Sequence, residues 1–203
     1  MVSLLLFTVL CLPFLVESCS KIKGNVVDVV YIGSSRCPLC TVFLRKQVAK
    51  VYPQFYESKR LNVTYLPYTE CEDRNRVTPI KKFSCASDIA ALQACYMNNM
   101  TGPSLFTGLL DIQTSGSIDQ ALTKCTGMDQ KQLKSCATGM EGRRLLGKYR
   151  NAALKIVYSL GISSWRYPLL VVNGKRNMDT EALKRNMATV LCDKFFKPKA
   201  KEC

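Results

Sequence analysis

Apolar residues along this chain change their spacing several times, and each change marks an element. Val26, Val27, Val29, Val30, Tyr31 and Ile32 form a short apolar run closed by Gly33, Ser34 and Ser35, which predicts a buried strand over about 26–32. From Pro38 the apolar residues Val42, Phe43, Leu44, Val48 and Val51 fall at helical spacing and predict a helix to about Tyr52, continuing weakly toward Tyr56. Leu61 to Pro67 reads as a second strand, and Tyr68 to Lys82 is polar and turn-rich, with Cys71 and Pro79. A helical section runs with interruptions from about Ser84 to Leu160. Ala90, Ala91, Leu92, Ala94 and Cys95 suit one helix. Leu105, Phe106, Leu109 and Leu110 suit another, and Leu145, Leu146, Tyr149, Ala153, Ile156 and Val157 a third. Gly102-Pro103, Thr126-Gly127 and Gly161 punctuate them. A late strand covers Leu169 to Val172, the Asn173-Gly174 pair that follows is a hairpin signal, and a last helix spans about Thr180 to Phe196.

The order is βαβ, helical insert, β-hairpin, α. Strand–helix–strand at the start implies a right-handed parallel unit, and the hairpin adds antiparallel pairing. The expected class is therefore α/β, a mixed sheet flanked by helices.

The N-terminus changes where this fold is expected to work. Val2 to Val16 carries no charge, and Val16-Glu17-Ser18 offers small residues at cleavage spacing, with Ser18-Cys19-Ser20 as a second candidate. The run is short for a membrane span, and no later stretch is long enough. The reading is a cleaved secretory signal over 1–18 and a single domain over 19–203, the insert lying at about 84–160; an uncleaved N-terminal anchor is the alternative.

Eleven cysteines fit an oxidising compartment. Cys11 leaves with the signal. Cys19, Cys71, Cys85, Cys95, Cys125, Cys136, Cys192 and Cys203 form an even set of disulfide candidates whose connectivity spacing does not fix. Cys85–Cys95 and Cys125–Cys136 are expected as local bridges, and Cys203 is a candidate for a bridge between two chains, giving a covalent dimer. Asn62-Val63-Thr64 and Asn99-Met100-Thr101 make Asn62 and Asn99 glycosylation acceptors if exposed.

The net charge of +14 reads first as a solvated basic surface suited to an acidic compartment or to solubility; the alternative is attraction of anionic partners such as acidic polypeptides, glycans or lipid head groups. No aromatic-interleaved RNA motif or zinc finger accompanies it, so no nucleic-acid partner is expected.

The candidate chemistry sits at Cys37-Pro38-Leu39-Cys40, where the first strand gives way to the helix. A cysteine there feels the positive end of the helix dipole and unpaired N–H groups, and both favour the nucleophilic thiolate. Pro38 falls at the first helical position, where its missing N–H costs nothing, and Arg36 adds positive charge. The pattern matches a disulfide-exchange site of the thioredoxin type. Half a zinc site would need further ligands, yet the chain has no histidine and no second C-x-x-C. A purely structural cysteine pair is the other alternative. No metal and no bound cofactor is expected.

A second piece stands before the late strand at Tyr167-Pro168. Pro168 cannot sit centrally in a sheet and marks the strand's entry. In thioredoxin-like folds a proline at this point is cis and faces the C-x-x-C pair, leaving backbone groups free for a substrate peptide. Pro168 and Tyr167 are thus candidates for substrate positioning, and the expected class narrows to a thioredoxin-like mixed sheet with a helical insertion, stabilised by disulfides.

These residues together resemble the gamma-interferon-inducible lysosomal thiol reductase (GILT) family. The resemblance is carried by the C-x-x-C with Phe43-Leu44 after it, by Val63-Thr64-Tyr65-Leu66-Pro67-Tyr68, by Phe83-Ser84-Cys85 and Ala94-Cys95, and by Tyr167-Pro168 through Asn173-Gly174. It covers roughly residues 26 to 195. It implies a secreted or lysosomal thiol reductase that cleaves protein disulfides at acidic pH. One stretch marks a diverged member. The family's long signature, from Cys-Gln-His-Gly through a middle Cys to a final Cys, is cut to the interval between Cys85 and Cys95. The Gln-His-Gly, the middle Cys and the Asn are missing.

On this reading Cys37 attacks a substrate disulfide and Cys40 resolves the mixed disulfide. An external thiol, glutathione or cysteine, restores the pair. The rival expectation is a non-catalytic binding protein on the same scaffold, with a locked C-x-x-C and a basic surface for an anionic surface or glycan.

Overall fold

The computed structural model describes residues 24–68, 88–125 and 127–203. The expected signal segment, Cys19, Cys71, Cys85 and the first residues of the expected insert lie outside the described residues.

Strand β1 (Val27–Gly33) is the centre of a three-stranded sheet of order β2-β1-β3. Strand β2 (Leu61–Pro67) pairs parallel to it, from Val27 opposite Leu61 to Gly33 opposite Pro67. Strand β3 (Leu169–Val172) pairs antiparallel, Ile32 opposite Leu169 and Val29 opposite Val172. The sheet is mixed, as the element order requires. Val27, Val29 and Tyr31 alternate with residues on the other face, so one side of β1 packs into the main core with Leu61, Val63 and Tyr65 of β2 and Leu170 and Val172 of β3. Burying these side chains contributes about 1.5–3 kcal/mol each.

The β1–β2 crossover is helical throughout: α1 (Pro38–Phe43), a π-helical stretch Leu44–Val48, and α2 (Ala49–Tyr56). Pro53 inside α2 removes the donor that would meet the Ala49 carbonyl, and the widened turn lies just upstream. Cys40, Phe43, Leu44, Val48, Val51 and Phe55 turn this connection's apolar face to the sheet.

The described residues of the insert form five helices where three were expected: α3 (Asp88–Asn99), α4 (Leu105–Gln113), α5 (Ile118–Lys124), α6 (Gln130–Thr138) and α7 (Met140–Ser159). Helix α3 is its hub, buried without interruption from Ala90 to Tyr96 and packed on β2, α4, α6 and α7. Its alanines allow those close approaches. The second half of α7 covers the other sheet face near the end of β1, where Ala153 and Val157 meet Ile32, Leu66, Tyr68 and Leu169.

The C-terminal part departs from expectation in two places. Asn173 and Gly174 both have positive φ (49° and 72°) and turn the chain as an Asn-Gly pair should, but the return strand is a single bridge from Val172 to Lys175. Asn177 stops it: its side chain accepts from the Thr180 N–H and starts α8 (Met178–Ala182) through a capping box. The expected last helix is broken into α8, α9 (Met187–Val190) and a π-helical turn Leu191–Phe195. Asn186 separates α8 from α9.

Among the described residues two disulfides form, Cys95–Cys136 and Cys192–Cys203. Both expected local bridges are thereby corrected. Helix α3 faces α6, so Cys95 reaches Cys136 at a Cα separation of 6.2 Å and is unavailable to Cys85. Cys125 is buried and free, its thiol donating to the Ala121 carbonyl at 3.4 Å. Cys203 bonds within its own chain, which removes it as the link of a covalent dimer. No helix among the described residues is long and apolar enough to cross a membrane.

Candidate active site

The turn after β1 brings Cys37 to the start of α1. Cys37 N–H donates to the Ser34 carbonyl at 3.1 Å, and Arg36 N–H donates to Ser34 Oγ at 3.3 Å. Cys37 is the N-cap of α1, in extended backbone (φ −87°, ψ 115°), with Pro38 at the first helical position. Its sulfur accepts the Cys40 N–H at 3.2 Å, the place a Ser or Asp oxygen takes in an ordinary cap. Cys37 is half-buried, Cys40 fully so, and both are free thiols. Between and beyond them Leu39 and Val42 are exposed.

The Cys40 thiol is pushed up to about 12. Burial is the main cause and hydrogen bonding with Cys37 the next, while the Ser34 backbone and the Tyr31 hydroxyl pull it back. Tyr31 lies behind it, fully buried, its hydroxyl donating to the Cys40 carbonyl at 3.3 Å. Tyr31 packs on Tyr65 with ring centroids 4.8 Å apart and on Phe43 at 5.2 Å. Burial holds both tyrosines neutral, far above their ordinary range.

A buried polar chain closes around these rings. The Tyr65 hydroxyl donates to Gln93 Oε1 at 3.3 Å, Gln93 Nε2 to Gln113 Oε1 at 3.2 Å, and Gln113 Nε2 to Thr41 Oγ1 at 2.7 Å. Thr41 in turn donates its hydroxyl to the Cys37 carbonyl at 3.3 Å. The insert thus supports the C-x-x-C helix through Gln93 on α3 and Gln113 on α4. Sequence reasoning missed both glutamines. Gln93 had a signal, a lone amide within the apolar run Ile89 to Tyr96; Gln113, at the polar end of α4, had none.

Tyr167-Pro168 is cis. Leu169 pairs with Ile32, so Pro168 stands one residue beyond the pairing, at the end of β1 from which the Cys37 turn departs. Pro168 is buried, and Tyr167 is half-buried in an aromatic cluster with Tyr68 (6.0 Å) and Trp165 (6.4 Å). Among the described residues, no group of three metal-ligating side chains exists. Asn62 lies exposed on β2 and Asn99 exposed at the end of α3.

No protein-family model matches the chain. The GILT-like protein C02D5.2 of Caenorhabditis elegans is 24% identical over 169 residues, 76% of this chain and 49% of that protein, so the chain spans about half the relative's length. Among solved structures, Chlamydia trachomatis DsbA superposes with a TM-score of 0.52 at 15% identity, over 74% of this chain and 76% of its own. The oxidoreductase DsbA of Xylella fastidiosa gives 0.46 at 16% identity, over 84% and 87%. With the C-x-x-C turn, the cis proline and the helical insert in this order, the chain has a thioredoxin-like, DsbA-type fold and is similar to a GILT-like protein over about three quarters of its length.

Proposed function

We propose that this protein is a thiol-disulfide oxidoreductase of the secretory pathway that reduces disulfides in protein substrates. The observation that carries the reading is the asymmetric cysteine pair: Cys37 half-buried at a helix N-cap, Cys40 buried with its N–H on the Cys37 sulfur. Such an arrangement presents one sulfur to substrate and reserves the other. Cys37 is the nucleophile: its thiolate attacks one substrate sulfur, forms a mixed disulfide and releases the other as a thiol. Cys40 is the resolving residue: it attacks the Cys37 sulfur, closes the Cys37–Cys40 bridge and frees the reduced substrate. Two electrons pass from the cysteine pair to the substrate, and an external thiol such as glutathione or cysteine returns them. Pro168 and Tyr167 position an extended substrate strand beside Cys37. A signal over 1–18, glycans on Asn62 and Asn99, and a secreted or lysosomal address belong to the same proposal.

The test is insulin-disulfide reduction by wild type, Cys37→Ser and Cys40→Ser, with the protein trapped in acid and weighed. Loss of turnover in Cys37→Ser, with accumulation of mixed disulfide in Cys40→Ser, is expected. Full turnover by Cys37→Ser would falsify the reading.

One feature favours a second reading. Helix α7 exposes Arg143, Lys148, Arg150 and Lys155 along its 20 residues. A non-catalytic protein would use such a ridge to hold an anionic glycan. Salt-sensitive heparin binding together with an inert cysteine pair would select it.

A further inference from the structure

We propose that Tyr31 is a positioning residue for the resolving half-reaction, turning its hydroxyl hydrogen onto the Cys40 sulfur as that sulfur attacks Cys37. The proposal rests on the thiol-disulfide reading above and assigns it a device that operates only in its second step.

Three observations carry it. The Tyr31 ring runs forward along β1 and passes over Gly33, where a Cβ would stand 2.7 Å from both the hydroxyl and Cε2. Glycine at 33 therefore leaves the room in which the phenol reaches the cysteine helix. The hydroxyl sits 3.3 Å from the Cys40 carbonyl, a long bond, and also contacts the Cys40 thiol. Rotation about the phenolic C–O bond moves the hydrogen from the carbonyl to the sulfur. Finally, Cys40 has no exposure, and among the described residues the groups acting on its protonation are Cys37, the Ser34 backbone and Tyr31, with no carboxylate, ammonium or imidazole among them. A thiolate forming in that pocket needs a donor, because an uncompensated buried charge is costly. Tyr65, stacked on Tyr31 and tied to Gln93, holds the phenol in place.

The step balances without a further reagent. The bond between Cys37 and the substrate sulfur breaks and the Cys37–Cys40 bond forms. Cys40 sulfur is oxidised and the substrate sulfur reduced, leaving with the electron pair and taking up the proton that Cys40 released. Tyr31 keeps its own hydrogen throughout and stabilises the thiolate in passing.

The experiment follows reduced wild type, Tyr31→Phe and Gly33→Ala reacting with a peptide that carries one internal disulfide. Acid quenching and mass measurement count mixed disulfide against the Cys37–Cys40 form. Tyr31→Phe should form mixed disulfide at the wild-type rate and resolve it about ten- to a hundredfold more slowly, the usual effect of losing a hydrogen bond to a charged group. Gly33→Ala, which displaces the phenol without removing it, should slow the same step and decides the matter if Tyr31→Phe does not fold. A merely structural role would slow neither step selectively. Capture and resolution at wild-type rates in both variants overturns the proposal and leaves the oxidoreductase reading standing. A wild type that captures no peptide overturns both.

Discussion

Gln113 donates to Thr41 at 2.7 Å and so ties the helical insert to the helix that Cys37 caps and Cys40 belongs to. Gln113 is 8% exposed and Gln93 fully buried, so neither amide has water to fall back on. Gln113→Leu leaves Gln93 Nε2 with only a 3.5 Å bond to the Leu109 carbonyl and strips Thr41 of its donor. The expected cost is about 1–3 kcal/mol, since an unpaired buried polar group loses its full desolvation penalty. Urea unfolding of the reduced protein measures it; an unchanged midpoint would show the ladder to be dispensable.

The two disulfides should differ in worth. Cys95–Cys136 closes 41 residues and Cys192–Cys203 closes 11. If both act by restricting the unfolded chain, the first contributes about 4 kcal/mol and the second about 3 kcal/mol. Comparing Cys95→Ala/Cys136→Ala with Cys192→Ala/Cys203→Ala in denaturant tests the order. Cys125 is the internal control: buried and free, it should resist alkylation until the chain unfolds. Rapid labelling of native Cys125 would contradict its burial.

Most of what positions the site was legible in the chain. Val27 to Ile32, the small turn residues and Pro38 specify a strand ending in a capped helix because each acts over a few residues. Pro168 before an apolar run likewise announces a strand entry locally. What escaped depends on contacts distant in sequence. Cys95 finds Cys136 only because α3 and α6 pack face to face, and no spacing rule contains that. Gln93 and Gln113 gain meaning only when β2, α3 and α4 converge on Tyr65. The missing return strand had a local cause that was overlooked: Asn177 and Thr180 are three residues apart and form a cap, which competes with strand pairing just after the Asn-Gly turn.

Arg60 should anchor the C-terminal tail. It is 5% exposed; its guanidinium donates to the Asn25 carbonyl at 2.8 Å and the Pro198 carbonyl at 2.7 Å, and lies 5.0 Å from the centre of the Phe196 ring. A lysine offers one point charge and cannot span those acceptors. Arg60→Lys is therefore expected to destabilise by about 1–3 kcal/mol and to open the segment after Phe196 to protease. Equal cleavage rates in the two proteins would show that the Cys192–Cys203 bridge holds the tail unaided.

The resolving step should quicken steadily with pH. Burial, then the hydrogen bond with Cys37, pushes the Cys40 thiol up to about 12. In the mixed disulfide Cys37 no longer carries a proton or a charge, so its share disappears, but burial remains. The attacking thiolate is then a small fraction at neutral pH and grows about tenfold per unit until the thiol's pKa is reached. The expected rate of mixed-disulfide resolution climbs through about pH 6 to 8 without a plateau. At acidic pH the mixed disulfide should persist until an external thiol releases it. Stability has the opposite sign. A thiol whose proton is held more tightly in the fold contributes fully below its ordinary value of 9.0, and that contribution is lost as pH rises toward about 12. Acid-quenched single turnovers across this range check the rate, with Cys40→Ala reporting release by external thiol alone. A plateau below neutral pH in the wild type would mean that Cys40 ionises readily, and that burial does not govern the second step.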